Sequence, residues 1–304
     1  MLFKIFQRIV AFFIAVFALG GTPAEPTITP ININPNPIAE SVLTQDVKVM
    51  TFNLKYNGDG YQTRENRFPK AVKIIEKHSP DSFGVQEAEK WWTDSFEETL
   101  TQYARVGTFR DDGKTLGESC SIFYLKDKYE LVDSGDYWLS ETPDIPSKGW
   151  DGGCPRVVTY AILKDKESGF VYAHFNTHLD NVGEQAKANS VPLLATIIAD
   201  IAPDIPVVLT GDFNVREGSE IYSNLVACGL KDTKYLAAEY DDCATYHDFN
   251  PFVLNTKPID YIFVNGYVKS VKSSYIDSST VGLVYPSDHF PIITEMTLFN
   301  GGIK

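Results

Sequence analysis

PVVLTGDFN, residues 206–214, runs from an apolar stretch straight into Asp212 and Asn214. Val, Val, Leu and Thr bounded by Pro206 and Gly211 predict a buried strand, with its polar groups presented at its C-terminal end. The layout recurs along the chain. VKVMTFNL (47–54) alternates and ends near Asn53, SFGVQE (82–87) ends at Glu87, and FVYAHFNTHL (170–179) ends near His178. SIFYL (121–125) and VVTYAIL (157–163) read as further strands. Asp260 opens DYIFV, and Asp288 and His289 precede FPIITEMTLF (290–299).

Helices fall between these runs. Phe68, Val72 and Ile75 share one helical face, and Phe96, Leu100 and Tyr103 mark a second helix. Residues 191–201 predict a third, with Pro192 in its first turn or at a kink. Ser219 caps a fourth that Gly229 closes. Many strands with interspersed helices predict an α/β fold of two packed sheets with helices outside, as one domain over 46–304.

The N-terminus is set apart. Lys4 and Arg8 precede an apolar run over 9–19, and Ala18-Leu19-Gly20 offers small residues for cleavage. This predicts a signal peptide over 1–20 and a secreted or extracytoplasmic protein, with an uncleaved anchor as the alternative. The run is shorter than the ~20 residues of a membrane-spanning helix. Residues 21–45, rich in Pro, Asn and Thr, read as an extended linker. The net charge of −13 becomes −15 without Lys4 and Arg8, which weakens the case for a passive basic nucleic-acid binder but leaves a nuclease open, because a bound divalent cation can supply the positive field locally. Cys120, Cys154, Cys228 and Cys243 carry no zinc spacing, and disulfides and free thiols remain equally open.

The polar residues at strand ends are Asn53, Glu87, His178, Asp212, Asn214, Asp260, Asp288 and His289. Any one of them reads most simply as a cap or turn former. Together they read as a cleft at the carboxyl edge of the strands. Hard oxygen donors, two imidazoles and no thiolate suit Mg²⁺, with Mn²⁺ possible, better than zinc.

In order, TFNLKYN, GVQEA, FNTHLD, LTGDFN, IDYIFV and YPSDHFPI resemble the motifs of the endonuclease/exonuclease/phosphatase superfamily, from about Val47 onward. That superfamily includes deoxyribonucleases, apurinic-site nucleases, deadenylases, inositol polyphosphate 5-phosphatases and sphingomyelinases. The resemblance implies a four-layer α/β sandwich of two mixed sheets and a metal-dependent phosphoester hydrolase. It implies Glu87 as principal metal ligand, with Asn53 beside it and Asp288 next to the metal. Asp212 and Asn214 then position the attacking water and the phosphoryl group, His289 pairs with Asp260, and His178 contacts the phosphate. Both histidines are expected as imidazolium, and either Asp212 or His289 takes the water's proton. Glu118 resembles a residue that orients His178, Arg156 a phosphate-contacting arginine, and Thr245, Tyr246 and His247 a segment lining the phosphate site. His174 is expected to be structural.

Residues 136–156 read as a loop whose Trp138 and Trp150 either stack on substrate or form a buried lid. Trp91 and Trp92 divide between core and lip. The motif-bearing loops carry few cations (Lys55, Arg64, Arg216, Lys257) among Glu217, Glu220, Asp241, Asp242 and Asp248. Backbone-reading duplex binders need several such contacts. The expected partner is therefore a small or terminal phosphoester or a lipid head group ahead of internal cleavage of duplex nucleic acid, with no stable protein partner and a monomeric chain. A catalytically inactive secreted binding member is the alternative, and the full residue set argues against it. A glycosidase carboxylate pair leaves the two histidines and Asn214 without a role.

Overall fold

The computed structural model describes residues 42–250, 257–281 and 284–300. The expected signal and most of the expected linker lie outside the described residues. Seven strands form one sheet in the order Ala237–Tyr240, Val268–Ile276, Ile292–Phe299, Thr44–Asn53, Ser82–Gln86, Ile122–Leu125 and Tyr103–Val106. Six form a second: Lys231–Asp232, Asp260–Val264, Val207–Asp212, Val171–His178, Val157–Asp165 and Tyr129–Trp138. Ala88–Glu89 and Glu118–Ser119 make a small two-stranded ribbon.

Three apolar cores correspond to the three interfaces of a four-layer sandwich. Val49, Ile122, Val208, Ile262 and Leu298 meet between the sheets. Phe52, Phe83 and Val85 meet Ile75, Trp92 and Phe96 of the helices Arg64–His78 and Lys90–Thr99 on one outer face. Leu209, Phe175 and Phe263 meet Leu194, Ile198 and Leu225 of the helices Glu184–Ile201 and Glu220–Ala227 on the other. Strands buried on both sides explain why the central runs are nearly continuous in apolar residues. Truncating Phe83, which is fully buried, to Ala costs about 3–5 kcal/mol.

The inter-sheet core turns polar towards the carboxyl ends of the strands. Asn176, fully buried, donates to the carbonyls of Val85 (2.9 Å) and Ser121 (3.1 Å) and accepts from Gln86 Nε2 (2.6 Å) and Thr210 Oγ1 (3.0 Å). One carboxamide thus joins both sheets. Gly84 makes room for it: a Cβ there would lie 2.5 Å from Asn176.

Several boundaries differ from the sequence expectation. The first strand starts at Thr44, inside the expected linker, because Thr44 pairs with Phe299. Phe96, Leu100 and Tyr103 do share a core, but the helix ends at Thr99 and Tyr103 opens an edge strand paired with Leu125. Pro192 sits in the body of Glu184–Ile201, preceded by two turns, not in a first turn. Asp136 and Trp138 belong to the strand Tyr129–Trp138, paired with Thr159 and Val157, and not to a loop.

Candidate active site

Sheet register gathers the chemistry. Asp212 ends its strand opposite His178 on one neighbouring strand and Asp260 on the other. Residues in register share a face, so three side chains stand in one row. The first sheet supplies the facing groups. Asn53 ends its strand opposite Gln86, and Glu87 follows with φ 56°. Asn214, two residues past Asp212, has φ 51°. Non-glycine residues in the left-handed region cost ~1–3 kcal/mol each, and such positions cluster at functional sites.

Asp212 is the centre. Its Oδ2 accepts from Asn53 Nδ2 at 2.9 Å and lies 3.4 Å from His178 Nε2 and 3.8 Å from His289 Nε2. Its Oδ1 accepts from the Asn214 backbone N–H at 2.9 Å. Asn53 Nδ2 also donates to Glu87 Oε1 at 3.1 Å. His289 Nδ1 pairs with Asp260 Oδ2 at 2.8 Å. A cavity of about 510 Å³ opens here, lined by these residues except Asn53 and Asp260, and by Lys55, Tyr56, Asp288, Arg110, Glu118, Arg156, Asn181 and Tyr246.

The row carries opposed electrostatics. Burial and the neighbouring Asp260 push Asp212 up to about 7. Burial opposes charge on His289, but Asp260 and Asp212 outweigh it and hold the imidazole at about 10. His178 differs from the sequence expectation: burial, then Arg156, Arg110 and His289, drive it well below the ordinary histidine value, so it is neutral. Consistent with that state, its Nε2 accepts from Asn214 Nδ2 at 3.0 Å. Two imidazolium ions this close repel, and Asp260 settles which one is charged.

Glu118 does not orient His178. It spends both oxygens on Arg110, at 2.6 and 3.1 Å, which leaves His178 Nδ1 without a hydrogen bond among the described residues. Arg156, 6 % exposed, donates Nε to Asp180 (3.3 Å) and Nη2 to Asn181 (3.1 Å), while its Nη1 has no partner among the described residues. Tyr246 pairs through its backbone with His289 and sets its ring 5.0 Å from that imidazole. His247 is buried behind them, stacked on Phe290. Trp138 is buried with its indole N–H on the Arg110 carbonyl, and neither it nor Trp150 lines the cavity. The aromatic wall is Tyr56 and Tyr246 instead. Trp92 is core and Trp91 is half-buried under Arg64. His174 is buried between Ser82 Oγ and Thr210 Oγ1, each 2.9 Å away. All four cysteines are free thiols.

Sequence reasoning missed Arg110, Asn181 and Arg67. Asn181 directly follows FNTHLD and could have been added to that motif, but Arg110 lies in no motif. Arg67, fully buried, donates to the carbonyls of Leu54, Lys55 (2.6 Å), Gln62 (2.7 Å) and Pro286 (3.3 Å). It ties the turn after Asn53 to the turn before Asp288.

Two sets of residues bear on a metal. Among the described residues, Asp212, Asp260 and His289 place one ligand atom each within 4.8 Å of one another. His289 and Asp260 are already bound to each other, however, so ligation there would break that pair. Glu87, Asn53 and Asp288 form the all-oxygen alternative. Glu87 Oε2 accepts from the Tyr56 N–H at 3.2 Å, and Lys55 Nζ stands 3.4 Å from Asp288. This donor set fits a hard divalent cation. Cys154 also lines the cavity, but burial raises its thiol and keeps it a poor ligand.

Comparison with known proteins agrees with this fold. A model described as the Endonuclease/Exonuclease/phosphatase family matches residues 50–289. A solved protein of that family from Bacteroides vulgatus is 36 % identical, with a TM-score of 0.80, covering 84 % of this chain and 99 % of its own. A mannosyl-6-phosphatase from Bacteroides thetaiotaomicron is 34 % identical, with a TM-score of 0.78, covering 82 % and 99 %. Human nocturnin is 22 % identical over 253 residues, 74 % of this chain and 56 % of nocturnin. An uncharacterized protein of Acanthamoeba polyphaga mimivirus is 29 % identical over 162 residues, 50 % of this chain and 60 % of that protein. The chain therefore spans less than two thirds of these two curated relatives.

Proposed function

The chain belongs to the Endonuclease/Exonuclease/phosphatase family of phosphoester hydrolases, and from that premise we propose that it is an exported, Mg²⁺-dependent hydrolase of small or terminal phosphoesters. The observation that carries the reading is Asp212, poised near neutrality between a neutral His178 and a charged His289. A general base works best with a pKa near the working pH. Asp212 accordingly takes the proton of the attacking water, which His289, already protonated, cannot do. The Nε2–H of His289 faces the charge that grows on the phosphoryl oxygens, and Asp260 keeps that proton in place. Asn214 holds His178 in its acceptor tautomer. Glu87, Asn53 and Asp288 would hold Mg²⁺ or Mn²⁺, which when bound neutralises phosphate charge and assists the leaving oxygen.

A small or terminal substrate follows from the charge map and from the relatives. The chain carries −13 overall, and Lys234 and Lys257 are already paired with Glu217 and Asp242. One relative, the Bacteroides thetaiotaomicron protein, is a mannosyl-6-phosphatase. The test profiles the purified chain on plasmid DNA, RNA, nucleotides, sugar phosphates, inositol phosphates and sphingomyelin. Turnover of a small phosphoester that a chelator abolishes and Mg²⁺ or Mn²⁺ restores is the expected result. Efficient plasmid nicking with little small-substrate turnover, or full activity after chelation, overturns it. For export, N-terminal sequencing should find a mature chain starting near Gly21, whereas Met1 on cell-associated protein favours an anchor.

A further inference from the structure

Arg67 ends the first turn of the helix Arg64–His78 and is fully buried. Among the described residues, every hydrogen bond it donates goes to a main-chain carbonyl. Nη1 reaches Leu54 and Pro286 (3.3 Å), Nη2 reaches Lys55 (2.6 Å), and Nε reaches Gln62 (2.7 Å). Its guanidinium lies 5.1 Å from the Trp92 ring. Burial pulls it down to about 10 against the fields of Asp288 and Glu87, so it is charged at neutral pH. A buried charge is costly to keep, and what this one holds is the turn at 54–56, just past the strand Thr44–Asn53. Main-chain groups outside a ladder need partners of their own, and here each has one. The carbonyls of Leu54 and Lys55 go to Arg67, and that of Tyr56 to Trp92 Nε1 at 2.8 Å. The Leu54 N–H goes to the Gln86 carbonyl at 3.0 Å. The other two amides serve the cation site: Lys55 donates to Asn53 Oδ1 (2.9 Å) and Tyr56 to Glu87 Oε2 (3.2 Å). Lys55 takes φ 55° to do so, a conformation that persists only where the surroundings over-determine it.

Resting on the hydrolase reading above, we propose that Arg67 is the positioning residue that assembles the cation site, fixing the turn that orients Asn53 and Glu87 against the turn that delivers Asp288. Its Nη1 serves Leu54 and Pro286 together, so one nitrogen sets the distance between the two chain segments. Pro286 stands two residues ahead of Asp288. Lys55 Nζ, 3.4 Å from Asp288, also crosses the gap, but from a flexible stem. Arginine suits the task because five N–H donors in one rigid plane meet carbonyls in several directions, which the single nitrogen of lysine cannot. Mg²⁺ demands near-ideal octahedral geometry, so carboxylates that drift apart lose it. The charge of Arg67 works in the opposite sense, since a fixed cation near Glu87 and Asp288 repels a divalent ion bound to them. Positioning and charge therefore predict opposite effects of removing the side chain.

The test titrates Mn²⁺ and Mg²⁺ calorimetrically into substrate-free wild type, Arg67→Lys, Arg67→Met and Ile75→Ala. The last removes buried apolar volume from the same helix and reports what lost stability does by itself. Losing a residue that orients metal ligands costs ~10–100-fold in metal affinity, so the Mn²⁺ Kd should rise by that much in Arg67→Met and at least ~10-fold in Arg67→Lys. Folded Ile75→Ala should bind as wild type does. An unchanged Kd in Arg67→Lys, a tighter one in Arg67→Met, or an equal loss in Ile75→Ala overturns the proposal. If neither arginine variant folds, hydrogen exchange on wild type decides. Mg²⁺ should slow amide exchange at 54–56 and 287–289 together, and protection of 54–56 alone overturns the link. Phosphoester turnover is followed in parallel: a wild type that binds Mn²⁺ but hydrolyses nothing overturns the hydrolase reading alone, and one that binds neither cation overturns both.

Discussion

His289 Nδ1 lies 2.8 Å from Asp260 Oδ2, and the pair spans the two sheets. Asp260 begins a strand of the six-stranded sheet, and His289 lies just ahead of a strand of the other. The imidazole is held at about 10 against an ordinary value near 6.5. A raised histidine stabilises the fold fully below pH ~6.5 and loses that contribution as pH climbs towards 10. Wild-type stability in urea should therefore fall between pH 6.5 and 10. Asp260→Asn should flatten that fall and cut hydrolysis by ~10²–10³-fold. Parallel pH dependence in the two proteins would refute the coupling.

Asp212 bears the opposite cost. Its carboxyl is held at about 7, against an ordinary value near 3.8, so ionising it within the fold removes stability as pH rises from 4 to 7. Asp212→Asn should then melt higher than wild type at pH 8 but gain little at pH 4. Its hydrolytic rate should drop by ~10²–10⁴-fold, the usual worth of a general base. A variant that melts lower at pH 8 would show that the hydrogen bonds from Asn53 and Asn214 outweigh desolvation.

The two buried strand histidines separate function from fold. His178→Ala should lose ~10²–10³-fold in rate with a small change in melting temperature. His174→Ala should keep the rate of its folded fraction while losing ~1–3 kcal/mol of stability, since it removes one buried hydrogen bond from each of Ser82 and Thr210, which keep Tyr172 and Asn176. Rates and denaturation curves for both variants decide it, and a larger rate loss at His174 contradicts the site as drawn.

Gly84 tests the polar seam. An added methyl would meet Asn176 and Thr210 from the facing sheet, so Gly84→Ala should cost ~1–3 kcal/mol or more as the sheets are pushed apart. Because Asn176 also binds Gln86, the neighbour of Glu87, activity should fall with stability. Unchanged denaturation would mean that the sheets part without strain.

The strand positions of Asn53, Glu87, His178, Asp212 and Asp260 could be read in one dimension. Each sits where an apolar run meets polar residues, and a strand buried on both faces leaves only its end for chemistry. The helix faces of Arg64–His78 and Glu220–Ala227 were legible through periodicity and capping. The edge strand Tyr129–Trp138 and the strand Val268–Ile276 beside the short edge strand of the other sheet, both half exposed, carry no continuous apolar run and escaped notice. Tyr103 kept its place in a helical core pattern although its backbone had turned into a strand.

Partnership was decided only in three dimensions. The sequence alone determined the acids, amides and imidazoles that end the strands of the cleft, though not Asn181, because local hydrophobic patterning dictates which side chains end a strand. It could not show that Glu118 would choose Arg110 over His178, or that His178 would be neutral beside a charged His289. Those outcomes depend on distances between residues far apart in the chain and on how completely each group is stripped of water, quantities that exist only once the two sheets have packed.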